Sequence, residues 1–145
     1  MKAVIQRVKK ASVSVDGKVV GRINTGLMVL LGIHENDTIN ELQWIADKIL
    51  KLRIFDDSDG KMNISVKDVD GDILLVSQFT LYGDLKKGTR PSYIEAARPE
   101  VAIPLYEKMI ELLKMDGLRV ETGIFGAMMD VELINSGPVT IILER

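Results

Sequence analysis

The most constraining feature of this sequence is an apolar run that becomes polar part-way along its length. The apolar residues 73–76 lead directly into Ser77-Gln78-Phe79-Thr80, and Gly83-Asp84 ends the run. A continuous apolar run bounded by turn signals predicts a buried central strand. Its two hydroxyls and one amide then need partners, since an unpaired buried polar group costs roughly 1–3 kcal/mol. The strand therefore either contains an internal polar network or faces a ligand.

Several further strands precede this run. Residues 2–8 alternate weakly and predict one strand, and residues 11–15 alternate strictly and predict another. Asp16-Gly17 is a strong hairpin signal, so residues 18–23 should return as the partner strand. Residues 27–33 are apolar without alternation, which predicts a strand covered on both faces.

Two helices are predicted between the strands. Thr38 and Glu41 have the spacing of a capping box, so the first helix should begin near Thr38. The second should run from near Pro99 to about Met115, with a kink or a later start because Pro104 lacks an N–H group. The apolar stripes expected to be buried are Leu42, Ile45, Ala46, Ile49 and Leu50 in the first helix, and Val101, Leu105, Met109, Leu112 and Leu113 in the second.

The last third of the chain predicts strands interrupted at residues 123–126 and again at residues 135–138. The element order is then strands, helix, strands, helix and strands. This order predicts one α+β domain over residues 1–145, long enough to enclose a core. We expect a mostly antiparallel, strongly twisted, barrel-like β-sheet with two helices packed on it.

Composition excludes several classes of function. The chain has no cysteine, which excludes disulfides, zinc-thiolate sites and thiol nucleophiles. Its formal net charge of −2 gives no overall basic field, so a nucleic-acid partner would need a local basic patch. The sequence has no apolar run near the roughly 20 residues that span a bilayer, and its first residues do not resemble a signal peptide. We therefore expect a cytoplasmic protein without a membrane partner.

The usual catalytic motifs are also missing. Serine-hydrolase chemistry needs a base beside the nucleophile, and the only histidine, His34, lies in an acidic loop where it should be a solvated surface residue. Residues 56–60 resemble a calcium loop but have Phe55 and Val66 where acidic ligands would be required, so they are interpreted as a turn. Neither a metal site nor a glycine-rich phosphate loop is predicted.

Three features remain as candidate functional sites. The first is the polar segment Ser77-Gln78-Phe79-Thr80. The second is Gly137-Pro138, which lies between two apolar runs and indicates an edge, a bulge or a plain turn, because proline cannot donate to a sheet ladder. The third is the basic cluster Lys86, Lys87 and Arg90, which is either a solvated face or a contact for a phosphate backbone.

These motifs together resemble the D-aminoacyl-tRNA deacylases of the bacterial D-tyrosyl-tRNA deacylase type. The resemblance extends over essentially the whole chain, and neither signature motif departs from the family pattern. The segments that carry it are Ala3-Val4-Ile5-Gln6-Arg7-Val8, Gly60-Lys61-Met62-Asn63, Ser77-Gln78-Phe79-Thr80-Leu81, Arg90-Pro91-Ser92, Gly123-Ile124-Phe125-Gly126-Ala127-Met128-Met129 and Asn135-Ser136-Gly137-Pro138-Val139-Thr140.

The resemblance implies an enzyme that hydrolyses the ester joining a D-amino acid to the terminal adenosine of tRNA, and that also removes mischarged glycine. It implies a homodimer with sites at the subunit interface, and a tRNA 3′ acceptor end as the partner rather than DNA. It further implies that the Gly137-Pro138 bond is cis and reaches into the other subunit's pocket, where its carbonyls exclude an L side chain. No cofactor or metal is implied.

The resemblance also assigns roles to individual residues. Arg7 would brace the Gly137-Pro138 motif, and Phe125 and Met129 would form walls of the adenosine pocket with Phe79 beside them. Ser77, Gln78 and Thr80 would bind and orient the substrate. Since no base lies near their hydroxyls in the sequence, the free ribose hydroxyl beside the ester could assist the reaction while backbone N–H groups stabilise the oxyanion.

Two other classes of function stay open at this stage. One is an RNA- or nucleotide-binding module without catalysis, in which Lys86, Lys87 and Arg90 hold phosphates. The other is an interaction protein whose polar strand is only an internal network. Turnover of an aminoacyl ester separates both from an enzyme.

Overall fold

The first strand is longer than its sequence pattern predicts. In a computed structural model, which describes residues 1–115 and 117–145, Lys2–Val15 form one continuous strand instead of the two expected. Lys9 and Lys10 are both exposed, and the register against the last strand shifts between Val8 and Lys10. This irregularity interrupts the alternation without ending the strand. The elements are β1 (Lys2–Val15), β2 (Lys18–Ile23), β3 (Gly26–Gly32), α1 (Ile39–Lys51), β4 (Phe55–Asp56), β5 (Met62–Ile64), β6 (Asp72–Ser77), a 3₁₀ turn (Phe79–Tyr82), α2 (Pro99–Met115), β7 (Val120–Thr122) and β8 (Asp130–Glu144).

The main sheet is mixed and nearly closes into a barrel. Its order is β2-β1-β3-β6-β7, with β8 also paired to β1. β1 pairs antiparallel with β2, β3 and β8, whereas β3 and β6, and β6 and β7, are parallel. The ends of this path come close together, since a Cβ atom added at Gly21 of β2 would lie 2.6 Å from the Thr122 carbonyl oxygen of β7. The predicted α+β, barrel-like fold is confirmed, with more parallel pairing than expected.

The central strand β6 is covered on both faces, as a buried apolar run predicts. Leu74 and Val76 point into a cluster formed with the far half of β1 and with β2. Ile73 and Leu75 point into the larger cluster beneath the two helices. The strand therefore lies between two cores, and only its ends can contact a ligand.

The first helix confirms its predicted start. The Thr38 hydroxyl accepts from the Asn40 N–H at 3.2 Å, and the Glu41 carboxylate accepts from the Thr38 N–H at 2.8 Å, which completes the capping box. The Thr38 hydroxyl also donates to the Glu41 carboxylate at 2.6 Å, and this bond, together with the one from the Thr38 N–H, lowers the pKa of Glu41. The predicted stripe is buried apart from Leu50, which is half-buried. Its buried members are Leu42, Ile45, Ala46 and Ile49.

The second helix runs from Pro99 to Met115 and continues through Pro104, so the expected later start does not occur. Pro104 and Glu100 are exposed, and water can solvate the Glu100 carbonyl that loses its helix partner. The buried stripe is displaced from the predicted one, since Val101 is 41% exposed. Within the described residues, neither helix is long and apolar enough to cross a bilayer. The buried residues of α2 are Ala102, Tyr106, Met109 and Leu113.

Residues 56–60 form a turn at the small β4–β5 hairpin, as predicted. The Asp57 carboxylate accepts from the N–H groups of Asp59 at 2.9 Å and Lys61 at 3.0 Å. The bond from Lys61 is the main reason why the pKa of Asp57 is lowered. This carboxylate therefore closes a turn.

Candidate active site

Three parallel strands end at the same edge of the sheet. β3 ends at Gly32, β6 at Ser77 and β7 at Thr122, and the register pairs Leu31 of β3 with Ser77. In sheets of parallel strands, ligands bind outside the carboxyl ends of the strands. The segments that follow these three strands therefore form the first place to look for a site.

The polar segment lies at this edge, but it leaves the sheet earlier than predicted. Gln78 N–H donates to the Leu31 carbonyl at 2.8 Å, after which the chain enters the 3₁₀ turn. The prediction that the strand continues through Thr80 is therefore wrong. Phe79 is 57% exposed and Thr80 is also exposed, whereas Ser77 and Gln78 are half-buried. The Gln78 amide donates to the Thr80 hydroxyl on this exposed surface.

A cavity of about 70 Å³ opens beside this segment. The ends of the three parallel strands and the start of α2 each contribute to its wall, which is mostly apolar. The sequence indicated only part of this lining, because Ala97 and Ala102 follow no chemical motif. For Ala102, the helical spacing alone indicates burial, because this residue lies one turn before the buried Tyr106. The lining residues are Leu31, Ile33, Ser77, Gln78, Phe79, Ala97, Ala102, Phe125 and Gly126.

Tyr106 supports the cavity from behind. Its hydroxyl donates to the Leu75 carbonyl at 2.8 Å, and the Gly123 N–H donates to the same oxygen at 3.3 Å. Its ring lies 5.8 Å from the ring of the half-buried Phe125. Burial raises the pKa of Tyr106, so the hydroxyl stays protonated and remains a donor. Helix α2, the end of β6 and the Phe125 segment are therefore connected through one side chain.

Met129 lies apart from this cavity. It packs against the cluster on the other face of the sheet, together with Leu30 and Leu133. A Cβ atom added at Gly123 would meet the Met129 sulfur, so Met129 fills the space beside that glycine. The structure therefore brings together Ser77, Gln78, Phe79 and Phe125, but does not include Met129 among the residues that line the cavity.

His34 is half-buried, which corrects its prediction as a solvated residue. Its ring packs edge-on against Tyr82 at 5.2 Å, and its Nδ1 accepts from the Asn36 N–H at 3.1 Å. Across the described residues, no hydrogen bond connects His34 to Ser77 or Thr80. The same residues contain no group of three or more His, Asp or Glu side chains that could hold a metal ion. In this described part of the chain, neither the Ser77 nor the Thr80 hydroxyl hydrogen-bonds to a histidine or a carboxylate.

Gly137-Pro138 lies in a bulge of β8, which is one of the alternatives that the sequence left open, and β8 continues through the interruption predicted at residues 135–138. Gln6 of β1 pairs with Thr140, and Val8 of β1 pairs with Asn135. An advance of two residues along β1 therefore corresponds to an advance of five residues along β8. The Gly137-Pro138 peptide bond is cis, and both residues are exposed. The bulge keeps the strand continuous while its tip projects from the sheet.

Two side chains hold this bulge in place. The Asn135 amide accepts from the Val139 N–H at 2.7 Å and donates to the Val139 carbonyl at 3.1 Å. Arg7, 9% exposed, donates from Nε to the Ser136 carbonyl at 2.9 Å and from NH1 to the Ile54 carbonyl at 2.7 Å. Arg7 therefore connects the bulge to the segment that follows α1.

The bulge and the cavity of one chain are far apart. Strand β8 is separated from β6 by β1 and β3, which is about 14 Å across the sheet at 4.7–4.9 Å per strand. Along the strands, the bulge lies opposite Arg7 of β1, whereas Ser77 lies level with Ala3 of β1. The four-residue separation between Ala3 and Arg7 corresponds to about 13 Å. Gly137-Pro138 cannot line the cavity of its own chain.

The basic cluster lies on a hairpin loop beside the polar segment. Asp84 and Ser92 exchange backbone hydrogen bonds at 2.8 and 2.9 Å, which closes the hairpin. Lys86, Lys87 and Arg90 are all exposed between these two residues. The loop therefore presents three cations next to the end of the 3₁₀ turn.

Comparison with known proteins decides the family. The chain matches the family model described as D-Tyr-tRNA(Tyr) deacylase over residues 4–144. The chain belongs to this family. Among its relatives, the D-aminoacyl-tRNA deacylase of Fervidobacterium nodosum is 59% identical over 144 residues, covering 99% of this chain and 97% of that protein. The D-aminoacyl-tRNA deacylase of Exiguobacterium sibiricum is 56% identical over 145 residues, covering 100% of both proteins.

Solved structures agree with the family fold. One described as a c-Myc DNA unwinding element binding protein has a TM-score of 0.93 and 45% identity, covering 100% of this chain and 99% of the other. Another, described as a probable eukaryotic D-amino acid tRNA deacylase, has a TM-score of 0.86 at 18% identity, covering 98% and 97%. The second likeness supports the fold alone.

Proposed function

We propose that this protein is a D-aminoacyl-tRNA deacylase, which hydrolyses the ester between a D-amino acid and the 3′-terminal adenosine of tRNA. Family membership and the names of its relatives support this activity. A cavity with polar groups at its rim and cations on the neighbouring loop suits an aminoacyl ester attached to RNA. We further propose that mischarged glycyl-tRNA is also a substrate and that the protein acts in the cytoplasm.

The single observation that carries this proposal is the pair of free N–H groups at the start of the 3₁₀ turn. In the described residues, the Leu81 and Gly83 N–H groups have backbone partners, whereas those of Phe79 and Thr80 have none. Unpaired N–H groups at the start of a helical turn are donors for an anion. One well-placed donor to an oxyanion contributes about 2.7–4 kcal/mol to catalysis. Phe79 lines the cavity and Thr80 is the next residue, so we place the ester carbonyl, which develops negative charge, beside these two groups.

The attacking water needs assistance that the protein side chains do not supply. Among the residues that the structure describes, no histidine or carboxylate hydrogen-bonds to the Ser77 or Thr80 hydroxyl, and the Gln78 amide donates to Thr80 instead of accepting its proton. The ribose of the substrate carries a free hydroxyl next to the ester. In our proposal this hydroxyl assists the reaction, while Ser77, Gln78 and Thr80 orient the ester against the two N–H groups.

Discrimination against L-amino acids is proposed to depend on a second copy of the chain. A cavity of about 70 Å³ is small compared with the roughly 300–1,000 Å³ of typical ligand pockets, so one chain encloses only part of the substrate. The Gly137-Pro138 bulge is too distant to reach its own cavity. We therefore place the bulge of one subunit against the cavity of its partner, where rigid main chain leaves no room for an L side chain.

The edge strand β8 offers a surface for this dimer. Among the described strands, β8 pairs only with β1, so its other edge has unpaired backbone groups. It also exposes apolar side chains, with Ile142 70% and Ile134 46% exposed. A homodimer that covers this edge would bring the bulges to the interface.

Deacylation of D-tyrosyl-tRNA and L-tyrosyl-tRNA, measured in parallel with EDTA present, tests the activity. We expect rapid loss of the D ester alone, and glycyl-tRNA should be hydrolysed in the same assay. Equal turnover of both tyrosyl esters would contradict the discrimination, and failure to hydrolyse any ester would leave a binding or structural role.

Mixing two variants tests whether the bulge acts across the interface. Gly137→Ala should hydrolyse L-tyrosyl-tRNA because its bulge is displaced, and Ala97→Phe should be inactive because it fills the cavity. In a heterodimer, the open cavity of the first variant would face the intact bulge of the second. An excess of Ala97→Phe should therefore suppress L-ester hydrolysis and preserve D-ester hydrolysis. Unchanged L-ester hydrolysis would show that each bulge acts on the cavity of its own chain.

A further inference from the structure

We propose that Phe79 and Tyr93 form a stacking platform for the unpaired nucleotides that precede the terminal adenosine of tRNA, an inference that rests on the proposed function. The two rings are in edge-to-face contact, with centroids 5.1 Å apart and planes inclined by 74°. Phe79 is 57% exposed and Tyr93 is 38% exposed. Two adjoining aromatic rings with this much solvent exposure are typical of sites that bind single-stranded nucleic acids.

The platform continues directly from the cavity. Phe79 belongs to the cavity lining and also contacts Tyr93, so a chain leaving the cavity at Phe79 meets Tyr93 next. The cavity of about 70 Å³ has no space for more than part of one nucleotide. The nucleotides before the terminal one must therefore lie on the surface outside it.

The same hairpin that carries the basic cluster holds Tyr93 in position. Tyr93 follows Ser92, whose backbone bonds to Asp84 close the loop, and a Cβ atom at Gly83 would lie 3.1 Å from the Tyr93 ring. The Asp84 carboxylate accepts from the Lys86 N–H at 2.8 Å, so this acidic group helps to shape the loop. The three cations outnumber that single carboxylate between residues 84 and 92.

This combination favours single-stranded RNA over a protein partner. A basic loop follows the phosphates of a single strand, while exposed aromatic rings stack on its bases without reading the sequence. An apolar protein surface would leave the three lysine and arginine side chains without partners. The unpaired 3′ end of tRNA has both of the groups that this surface can bind.

The test compares kcat/KM for two D-tyrosyl esters, one of full tRNA and one of adenosine alone. Tyr93→Ala should lower the ratio of these two values by roughly 5- to 150-fold, the range expected for loss of one stacked base. Tyr93→Phe should keep the wild-type ratio, because it retains the ring. Ile94→Ala is the matched control, since Ile94 is 81% exposed beside Tyr93 but forms no aromatic contact.

Each outcome decides between the alternatives. An equal loss with both esters would make Tyr93 a support for the cavity and would overturn the platform. An unchanged ratio in Tyr93→Ala, or the same fall in Ile94→Ala, would also overturn it. If the wild-type enzyme hydrolyses neither ester, the proposed function fails and this inference fails with it.

Discussion

The cavity at the strand ends and the bulge in β8 are held in place by different forces. Apolar walls from four separate segments shape the cavity, with one buried hydroxyl bond behind them. The bulge projects from an edge strand and depends on hydrogen bonds from Arg7 and Asn135. Apolar packing contributes to the free energy of unfolding through many small contacts, whereas a few buried hydrogen bonds each contribute a large share. The bulge should therefore respond more sharply than the cavity to single substitutions.

Arg7→Ala should have the largest effect, because it leaves the carbonyls of Ser136 and Ile54 without their charged donor. Hydrogen bonds to charged groups contribute about 1.5–3 kcal/mol each, so we expect the free energy of unfolding to fall by about 2–4 kcal/mol. Urea denaturation measures this change. Arg7→Lys should recover only part of it, because an ammonium group cannot reproduce the planar geometry of a guanidinium. A loss below about 1 kcal/mol in Arg7→Ala would contradict the role of Arg7 as the main support of the bulge.

Gly137→Ala should come next. Gly137 has φ +134°, and an added Cβ atom would lie 2.6 Å from Val139 Cγ2 and 3.1 Å from the Arg7 guanidinium. Backbone strain of this kind costs about 1–3 kcal/mol, and the contact adds to it. Gly88→Ala is a close control, since Gly88 has φ +131° but nothing within 4 Å. Thermal unfolding should show a clearly lower Tm for Gly137→Ala than for Gly88→Ala, and equal values would indicate that the bulge adjusts freely.

Tyr106→Phe tests the hydrogen bond that the Tyr106 hydroxyl donates behind the cavity. Removing its hydroxyl leaves the Leu75 carbonyl with the Gly123 N–H as a remaining donor, so the loss should be about 1 kcal/mol. Tyr82→Phe is the control, since Tyr82 is also buried but its hydroxyl has no hydrogen bond to the described residues. Chemical denaturation of both variants provides the comparison. A larger loss in Tyr82→Phe would contradict the assignment of Tyr106 as the support.

Thr80→Ala should have the smallest effect. Thr80 is exposed, and its hydroxyl only accepts from the Gln78 amide. We expect unchanged stability and deacylase activity within about tenfold of wild type, which corresponds to about 1.4 kcal/mol. Single-turnover kinetics with D-tyrosyl-tRNA measure the deacylase activity. A loss of several orders of magnitude in a variant that still binds the substrate would identify Thr80 as the nucleophile and refute assistance by the ribose hydroxyl.

Much of the fold could be predicted from local patterns. The capping box at Thr38 and the helical stripe of α1 depend on residues three or four apart, and both are present in the structure. The apolar run 73–76 predicted a strand covered on both faces, and β6 lies between two cores. The stripe of α2 was misplaced because Val101 is apolar yet exposed. Hydrophobicity alone does not say which side of a helix faces the sheet.

The sequence by itself determined the two helices, the buried run of β6, the family and the polar segments, because periodicity, capping and signature motifs are all local properties of the chain. Only the tertiary structure decided where β6 ends, since that depends on Gln78 donating to Leu31 of a different strand. It likewise decided for a bulge among the edge, bulge and turn that the sequence left open at Gly137-Pro138, because β1 continues to pair on both sides of it. The cavity combines segments far apart in the chain, and their distances are set by non-local strand pairing and by the packing of α2 on the sheet.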